Sequence, residues 1–306
     1  MSDRTQPEEL YSAIEESARL LGATFSGNQV WPILNAYRDL LTDGRIVFST
    51  QTGERHAGEL EYSVQVSGGA GDPYARALAH GFAAETDHPV GTLISDIRAR
   101  ISVGEYAIDC GIAGGFKKVY ALARGVLGMS ELAGIPAMPR ALAENAEFFG
   151  RYGLDGAAVI AADYQRNTMN VYFQLPAGIA GSLAPETILS MLRDIGLPAP
   201  DEPMLKYACQ SYRIYVTLSW DSSAIQRIAF APMPRFGLDL SAVPVRLEPG
   251  IERFMSGAPR TYAGERIGIA AIKWSRDEEC LDLGSYYQIS PSQLKALERN
   301  LRDDDI

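Results

Sequence analysis

The stretch Ser211-Tyr212-Arg213-Ile214-Tyr215-Val216-Thr217-Leu218-Ser219-Trp220 alternates between two kinds of side chain. Successive side chains of a strand point to opposite faces, so Ser211, Arg213, Tyr215, Thr217 and Ser219 share a polar face. Tyr212, Ile214, Val216, Leu218 and Trp220 share the apolar one. The segment Glu59–Val66 repeats the pattern, with Glu59, Glu61, Ser63 and Gln65 opposed to Leu60, Tyr62, Val64 and Val66. Such strands must hide one face and wet the other, and whatever covers the apolar face decides the fold.

Working outward, strands recur in pairs: Arg45–Gln51 with Glu59–Val66, Val103–Cys110 with Gly115–Leu122, and Ala157–Tyr164 with Thr168–Phe173. Ser211–Trp220 with Ala224–Phe230 and Arg266–Ser275 with Leu281–Ile289 complete the set, and the break at Gln165–Asn167 reads as a hairpin turn. Helix-period segments precede the pairs: Glu8–Leu21 and Gln29–Leu41, Pro73–Phe82 and Pro89–Arg100, Met129–Leu132 and Leu142–Tyr152, Pro185–Ile195 and Glu202–Ala208, then Glu248–Ser256. Pro291–Arg302 closes the chain as a helix. The pairs begin near positions 45, 103, 157, 211 and 266, so one unit recurs about every 55 residues. Consecutive hairpins without long parallel crossovers predict a ten-stranded antiparallel sheet of α+β class, and closing it into a barrel removes its edges. Amphipathic helices need an apolar surface, so the apolar strand faces should point outward to the helices and the polar faces inward. The result is a solvated lumen suited to a ligand. A two-layer sheet whose polar faces meet water is the competing reading of the same pattern. One domain over residues 1–306 suffices for five such units.

Composition bounds the function. Of 306 residues, 46% are hydrophobic and 22% charged, which is globular. The 28 Lys and Arg against 38 Asp and Glu leave a net charge of −10, which argues against a nucleic-acid or anionic-membrane surface. Cys110, Cys209 and Cys280 form no CxxC, and His56, His80 and His88 form no HExxH, so structural zinc is not expected. The histidines fall outside the predicted lumen strands and read as surface or capping residues. Sparse, odd cysteines suggest thiols in a reducing compartment, and the start of the chain lacks a basic and an apolar leader region. No apolar run approaches the roughly 18 residues of a membrane helix. The expectation is a soluble, cytoplasmic monomer.

Several segments carry a family resemblance: Gly71-Asp72-Pro73-Tyr74, Tyr106-Ala107-Ile108-Asp109, Gly114-Gly115-Phe116-Lys117-Lys118, Ala143-Glu144-Asn145-Ala146-Glu147 and Arg151-Tyr152-Gly153-Leu154-Asp155. With Asn170-Val171-Tyr172-Phe173 and Leu283-Gly284-Ser285-Tyr286-Tyr287, they strongly resemble the bacterial ABBA aromatic prenyltransferases, from the first helix to the last. The resemblance implies the ABBA (PT) barrel, ten antiparallel strands in five ααββ repeats ringed by helices. It also implies a Friedel–Crafts alkylation of secondary metabolism, in which a dimethylallyl or geranyl group passes from an allylic diphosphate to an electron-rich ring. The acceptor would be of phenol, hydroxynaphthalene, quinone or phenazine type, and no organic cofactor is implied. Such chemistry requires cations for the diphosphate and aromatic walls that keep water from the allylic cation. An Asp-rich DDxxD magnesium site is not evident: Asp303-Asp304-Asp305 reads as a solvated tail.

Carried over by position, the resemblance assigns diphosphate binding to Lys118, Thr168, Asn170, Tyr215 and Arg227. Strand parity allows all of them to face one lumen. It assigns the acceptor pocket to Ala158, Ile160, Tyr212, Arg213, Ile269, Gly284 and Tyr286, with Tyr120 and Tyr172 lining the prenyl channel. Two positions depart from the family. Its magnesium-binding aspartate corresponds to Glu61, and a diphosphate-binding lysine corresponds to Asp282, which reverses the charge. Either a cation such as Mg2+ bridges Glu61 and Asp282 to the donor, or Asp282 pairs with an arginine such as Arg213; both stay open. Arg213, where the family has a serine, suggests an acidic or quinone-like acceptor. No general base is demanded, because the arenium proton can leave to water or diphosphate. A non-catalytic barrel that binds aromatic ligands is the alternative from another class, favoured by Asp282 and opposed by Lys118, Asn170, Tyr215 and Arg227. A two-metal phosphohydrolase lacks its His and Asp cluster.

Overall fold

The computed structural model describes residues 6–176 and 178–303; the chain start and Asp304-Asp305 of the acidic run lie outside the described residues. Helices α1 (Pro7–Leu21) and α2 (Gly27–Ala36) precede β1 (Leu41–Gln51) and β2 (Glu61–Ser67). Next come α3 (Pro73–Ala79), α4 (Val90–Arg100), β3 (Val103–Gly111) and β4 (Gly115–Gly128). The third unit is α5 (Met129–Ala133), α6 (Ala141–Glu144), α7 (Ala146–Arg151), β5 (Gly156–Asp163) and β6 (Thr168–Gln174). The fourth is α8 (Pro185–Asp194), α9 (Glu202–Ala208), β7 (Ser211–Ser219) and β8 (Arg227–Pro232). A two-residue strand, β9 (Arg235–Phe236), leads to α10 (Pro249–Gly257), β10 (Ile267–Ser275), β11 (Glu279–Gln288) and α11 (Pro291–Asp303).

Strands β1 to β8 pair in sequence order, β8 pairs β10, β10 pairs β11 and β11 returns to β1, which closes a ten-stranded antiparallel barrel. The short β9 adds only Arg235 and Phe236 beside the start of β10. The helices surround the barrel, and the hydrophobic core lies between the two layers, outside the sheet. Outward-facing Phe48, Tyr62, Ile108, Val119, Phe173, Ile214, Phe230 and Leu283 are buried in one cluster with Leu10 and Ile14 of α1, Ile33 of α2, Ile97 of α4, Leu192 of α8 and Phe254 of α10. Each such side chain contributes roughly 1.5–3 kcal/mol on burial, so the apolar faces turn toward the helices and the polar faces toward the lumen. The two-layer reading is thereby excluded.

Local chemistry sets the boundaries. Asp72 and Asp201 accept hydrogen bonds from the backbone N–H of Tyr74 (2.8 Å) and Met204 (2.9 Å), capping α3 and α9. The helix predicted over Leu142–Tyr152 is broken at Asn145, whose amide donates to the carbonyls of Ala141 and Ser223. The β5–β6 turn is held by Asp163 Oδ1, which accepts from the N–H of Gln165 and Arg166, while Asn167 takes the left-handed conformation at φ 51°. Among the described residues, no helix is long and apolar enough to cross a membrane.

The first and last units lock through α1 and α10. A Cβ on Gly250 of α10 would overlap the carbonyl oxygen of Leu21 at the end of α1. Gly250→Val should therefore destabilise the protein by about 1–3 kcal/mol, measured as a fall in Tm of about 2–4 °C per kcal/mol in thermal unfolding.

Candidate active site

The lumen divides into two compartments. The larger, of about 620 Å³, opens at the hairpin-turn end and is lined by charged and hydroxyl side chains. The smaller, of about 200 Å³, lies deeper and is bounded largely by Val47, Ala231, Ile269, Ala271 and Gly284, with Arg213. Ser49, Tyr172, Tyr215 and Asp282 border both, so the compartments meet at that waist.

Lys118, Thr168, Asn170, Tyr215 and Arg227 all line the larger compartment, contributed by β4, β6, β7 and β8. Their alternation on twisted, cross-paired strands brings them to one wall: Lys118 pairs in register with Asp163, Asp163 with Thr168, and Thr217 with Arg227. Three cations of this compartment come with carboxylates. Lys118 Nζ lies 3.4 Å from Asp163 Oδ2, Lys273 Nζ 2.6 Å from Asp282 Oδ2, and Arg227 Nη2 3.8 Å from Glu278 Oε2. Glu61 pairs with Lys117, whose ammonium is pushed down to about 7 by burial and then by Lys118. Pairing of this kind offsets the cost of holding ammonium groups away from bulk water.

Lys117 and Lys273 were missed by sequence reasoning. A bulge between Asp109 and Cys110 admits Lys117 as an extra residue of β4, against simple alternation. Lys273 had the inward parity of Ser275, a signal that could have found it. Of the two alternatives left open for Asp282, the pairing with an arginine such as Arg213 is replaced by Lys273 on the neighbouring strand, which restores the cation that the Asp282 position reverses. Of the histidines, His80 is exposed at the end of α3 and His88 Nδ1 accepts from the Val90 N–H at the start of α4, as surface and capping roles require, whereas His56 differs. His56 is buried, with Nδ1 2.8 Å from Glu59 Oε2 and Nε2 2.8 Å from Glu278 Oε1. His88 lines the mouth of the larger compartment, and His80 stacks on Phe82.

The waist is aromatic. Tyr172 stacks on Tyr215 at 4.6 Å, and Tyr120 tilts toward Tyr172 at 6.0 Å. Burial raises the hydroxyl pKa of all three, keeping them neutral hydrogen-bond donors. In the deeper compartment the Arg213 Nε is buried without a hydrogen-bond partner among the described residues. Burial, then the Arg45 guanidinium, lowers its proton affinity, opposed by Tyr286, Tyr212 and Tyr172. Tyr286 packs in one cluster with Ile267, Ile269 and Leu297 of α11.

Of the seven expected acceptor residues, Arg213, Ile269 and Gly284 line the smaller compartment, while Ile160, Ala158, Tyr212 and Tyr286 border neither. Ile160 is 1% exposed on the outward face, in the core under the helices, because Ala161 takes the inward parity opposite Tyr120 and Asn170. It cannot line the lumen. Ala158 is the extra residue of a bulge between Ala157 and Val159, and it borders neither compartment. Tyr212 falls at a similar irregularity between Ser211 and Arg213, borders neither compartment, and its hydroxyl accepts from the Gln174 amide at 2.8 Å.

The residues present do not fit a resident magnesium ion. Glu61 and Asp282 are each taken by a lysine, and an ion there would stand among Lys117, Lys118 and Lys273. Among the described residues, one trio of His, Cys and carboxylate donor atoms lies within 4.8 Å of one another, His56, Glu278 and Cys280. Its imidazole and thiol are not magnesium ligands.

A chamber that combines paired cations, a tyrosine waist and an apolar inner end is matched by relatives in sequence. Over 300 residues the chain is 41% identical to a furaquinocin biosynthesis prenyltransferase of Streptomyces sp. (strain KO-3988), covering 97% of this chain and 95% of that one. It is 39% identical over 269 residues to a 5,10-dihydrophenazine-1-carboxylate 9-dimethylallyltransferase of Streptomyces anulatus, covering 87% and 88%. A flaviolin linalyltransferase of Streptomyces virginiae is 39% identical over 282 residues, 91% of each chain. Residues 5–296 match the family described as aromatic prenyltransferase Orf2, and with a barrel of the same design the chain belongs to that aromatic prenyltransferase family.

Proposed function

We propose that this protein transfers a dimethylallyl or geranyl group from its diphosphate to a carbon of an electron-rich bicyclic or tricyclic arene. The observation that carries this reading is the meeting of a cationic compartment and an apolar one at a tyrosine-lined waist. The diphosphate is bound by Lys118, Lys273 and Arg227 through charge-assisted hydrogen bonds, with Thr168, Asn170 and Tyr215 adding neutral ones. The prenyl chain runs along Tyr120, Tyr172 and Tyr215, and the ring lies beyond the waist against Ile269, Gly284 and Arg213. The allylic C–O bond breaks with both electrons going to the diphosphate, the ring attacks the cation, and the arenium proton leaves to diphosphate or water. Tyrosine faces at the waist stabilise the cation by roughly 0.5–2 kcal/mol each and keep water from the carbon that reacts.

As three cations share the donor, Lys118→Ala and Arg227→Ala should each lower kcat/KM for the diphosphate substrate by roughly ten- to a hundredfold, and the double variant should lose donor binding in calorimetry. Unchanged donor affinity in the double variant would sink the site and favour a carrier of aromatic ligands.

Because lysines occupy Glu61 and Asp282, we infer that turnover needs no added metal. Activity measured by mass spectrometry should be the same in EDTA as in magnesium; a loss in EDTA restored by magnesium would refute this.

Arg213, half-buried and in no ion pair among the described residues, supports a carboxylated or quinone-like acceptor. Arg213→Ala should cut the preference for carboxylated over neutral acceptors by about tenfold or more, read in paired competition assays. The unpaired thiols of Cys110, Cys209 and Cys280 support a reducing, cytoplasmic setting.

A further inference from the structure

Three carboxyl groups of the polar compartment, Glu61, Asp163 and Asp282, are each paired with a lysine. Asp109, on the inward face of β3, is not. It is 4% exposed, and among the described residues it makes no ion pair. Its side chain is met by the Tyr120 hydroxyl, which donates to Oδ2 at 3.2 Å. Lys118 is its register partner on β4 yet turns to Asp163 on β5. The titratable groups that face it are Lys118 and Tyr120 from β4, Asp163 from β5 and Asp282 from β11, while Glu61 on adjacent β2 is held by Lys117. Burial raises its pKa to about 6; Lys118 and Tyr120 oppose the rise, and Asp282 and Asp163 add to it.

We propose that Asp109 receives the donor as a neutral carboxylic acid whose O–H donates to a diphosphate oxygen, so that donor binding takes up one proton from solvent. The inference rests on the diphosphate lying beside Lys118, Tyr215 and Arg227. An ionised Asp109 would face the diphosphate as a like charge with no cation of its own, which disfavours the charged form further. The neutral acid adds a donor where the wall otherwise offers an acceptor only. Tyr120 holds the other carboxyl oxygen, leaving one oxygen for the ligand. No covalent bond changes: one proton moves from solvent to a carboxylate oxygen. Donor affinity then falls with rising pH above about 6, by up to tenfold per unit.

The test is calorimetric titration with geranyl S-thiolodiphosphate, which resists ionisation, in buffers of different ionisation heat. At pH 7.5 the wild-type protein should take up close to one proton more than Asp109→Asn, since ionisation of the ligand itself is common to both. The Asn amide keeps the donated hydrogen bond, so the variant should bind within about twofold of wild type at pH 6 and about thirtyfold more tightly at pH 7.5. Equal proton uptake, parallel pH profiles, or weaker binding by the variant at pH 7.5 would overturn the inference. A wild-type protein that fails to bind the analogue at any pH would overturn both this inference and the donor site. Thermal unfolding without ligand isolates the titration. A folded-state pKa raised above the unfolded value contributes stability that is lost as pH rises through about 6. Asp109→Asn should thus have the higher Tm at pH 8, with the gap closing toward pH 4. A gap independent of pH would refute the raised pKa.

Discussion

The structure depends on an inversion of the usual side-chain arrangement of a small barrel. Apart from local bulges the strands alternate, with their large apolar residues facing the helices and the charged and hydroxyl residues of the larger compartment facing the axis. Barrel closure satisfies the edges of the sheet, and the outer layer of helices supplies the apolar partner that the strands need. The driving force of folding therefore lies outside the lumen. Val64, Val216 and Leu281 hold the barrel together without reaching its interior, so the interior is left to serve chemistry.

That freedom has an electrostatic limit. Buried ammonium groups without partners would cost several kcal/mol each, and the lumen answers with Lys117–Glu61, Lys118–Asp163, Lys273–Asp282 and Arg227–Glu278. The free protein thus carries an almost neutral cradle. At the donor site proposed above, an incoming diphosphate would compete with these carboxylates for cations that are already in place, exchanging partners within a preformed set. Asp163 shows how closely fold and site are tied: one oxygen closes the β5–β6 turn and the other meets Lys118. Asp282 and Glu61, which on sequence grounds looked like metal ligands or a defect, become counter-ions.

Much of this was legible in the sequence because the signals were periodic. Ser211–Trp220 alone states which face is wet, and the recurrence of hairpins gives the strand number. Inward parity also places Lys118, Asn170, Tyr215 and Arg227 on one lumen. Irregularities were not legible. Ile160 belongs with the outward face, and the bulge at Ala158 takes that residue out of simple alternation. The bulge at Lys117 brings two consecutive lysines to the lumen side, which alternation forbids. Partnerships across strands need register as well as parity: Lys273 stands opposite Cys280 and reaches Asp282 diagonally. His56 was obscure for a different reason, since its two carboxylate partners come from its own loop and from the β10–β11 turn, far apart in sequence.

The waist is where these features combine. An allylic cation is formed where the diphosphate leaves, and its fate depends on whether water or the arene is nearer in the next instant. The larger compartment has charged walls that favour water, while the smaller one is walled more by Val47, Ala231, Ile269, Ala271 and Gly284, with Arg213 among its few charged groups. Gly284 is required there: a Cβ would crowd Ile269 and Val47, the side chains that shape the inner wall. Tyr172 and Tyr215 border both compartments, so in the reaction proposed above they would present π faces to the cation at the boundary between donor and arene. Selectivity for carbon over water then follows from which side of the tyrosine pair the reacting carbon lies on, a distance fixed by rigid strands and not by a closing loop.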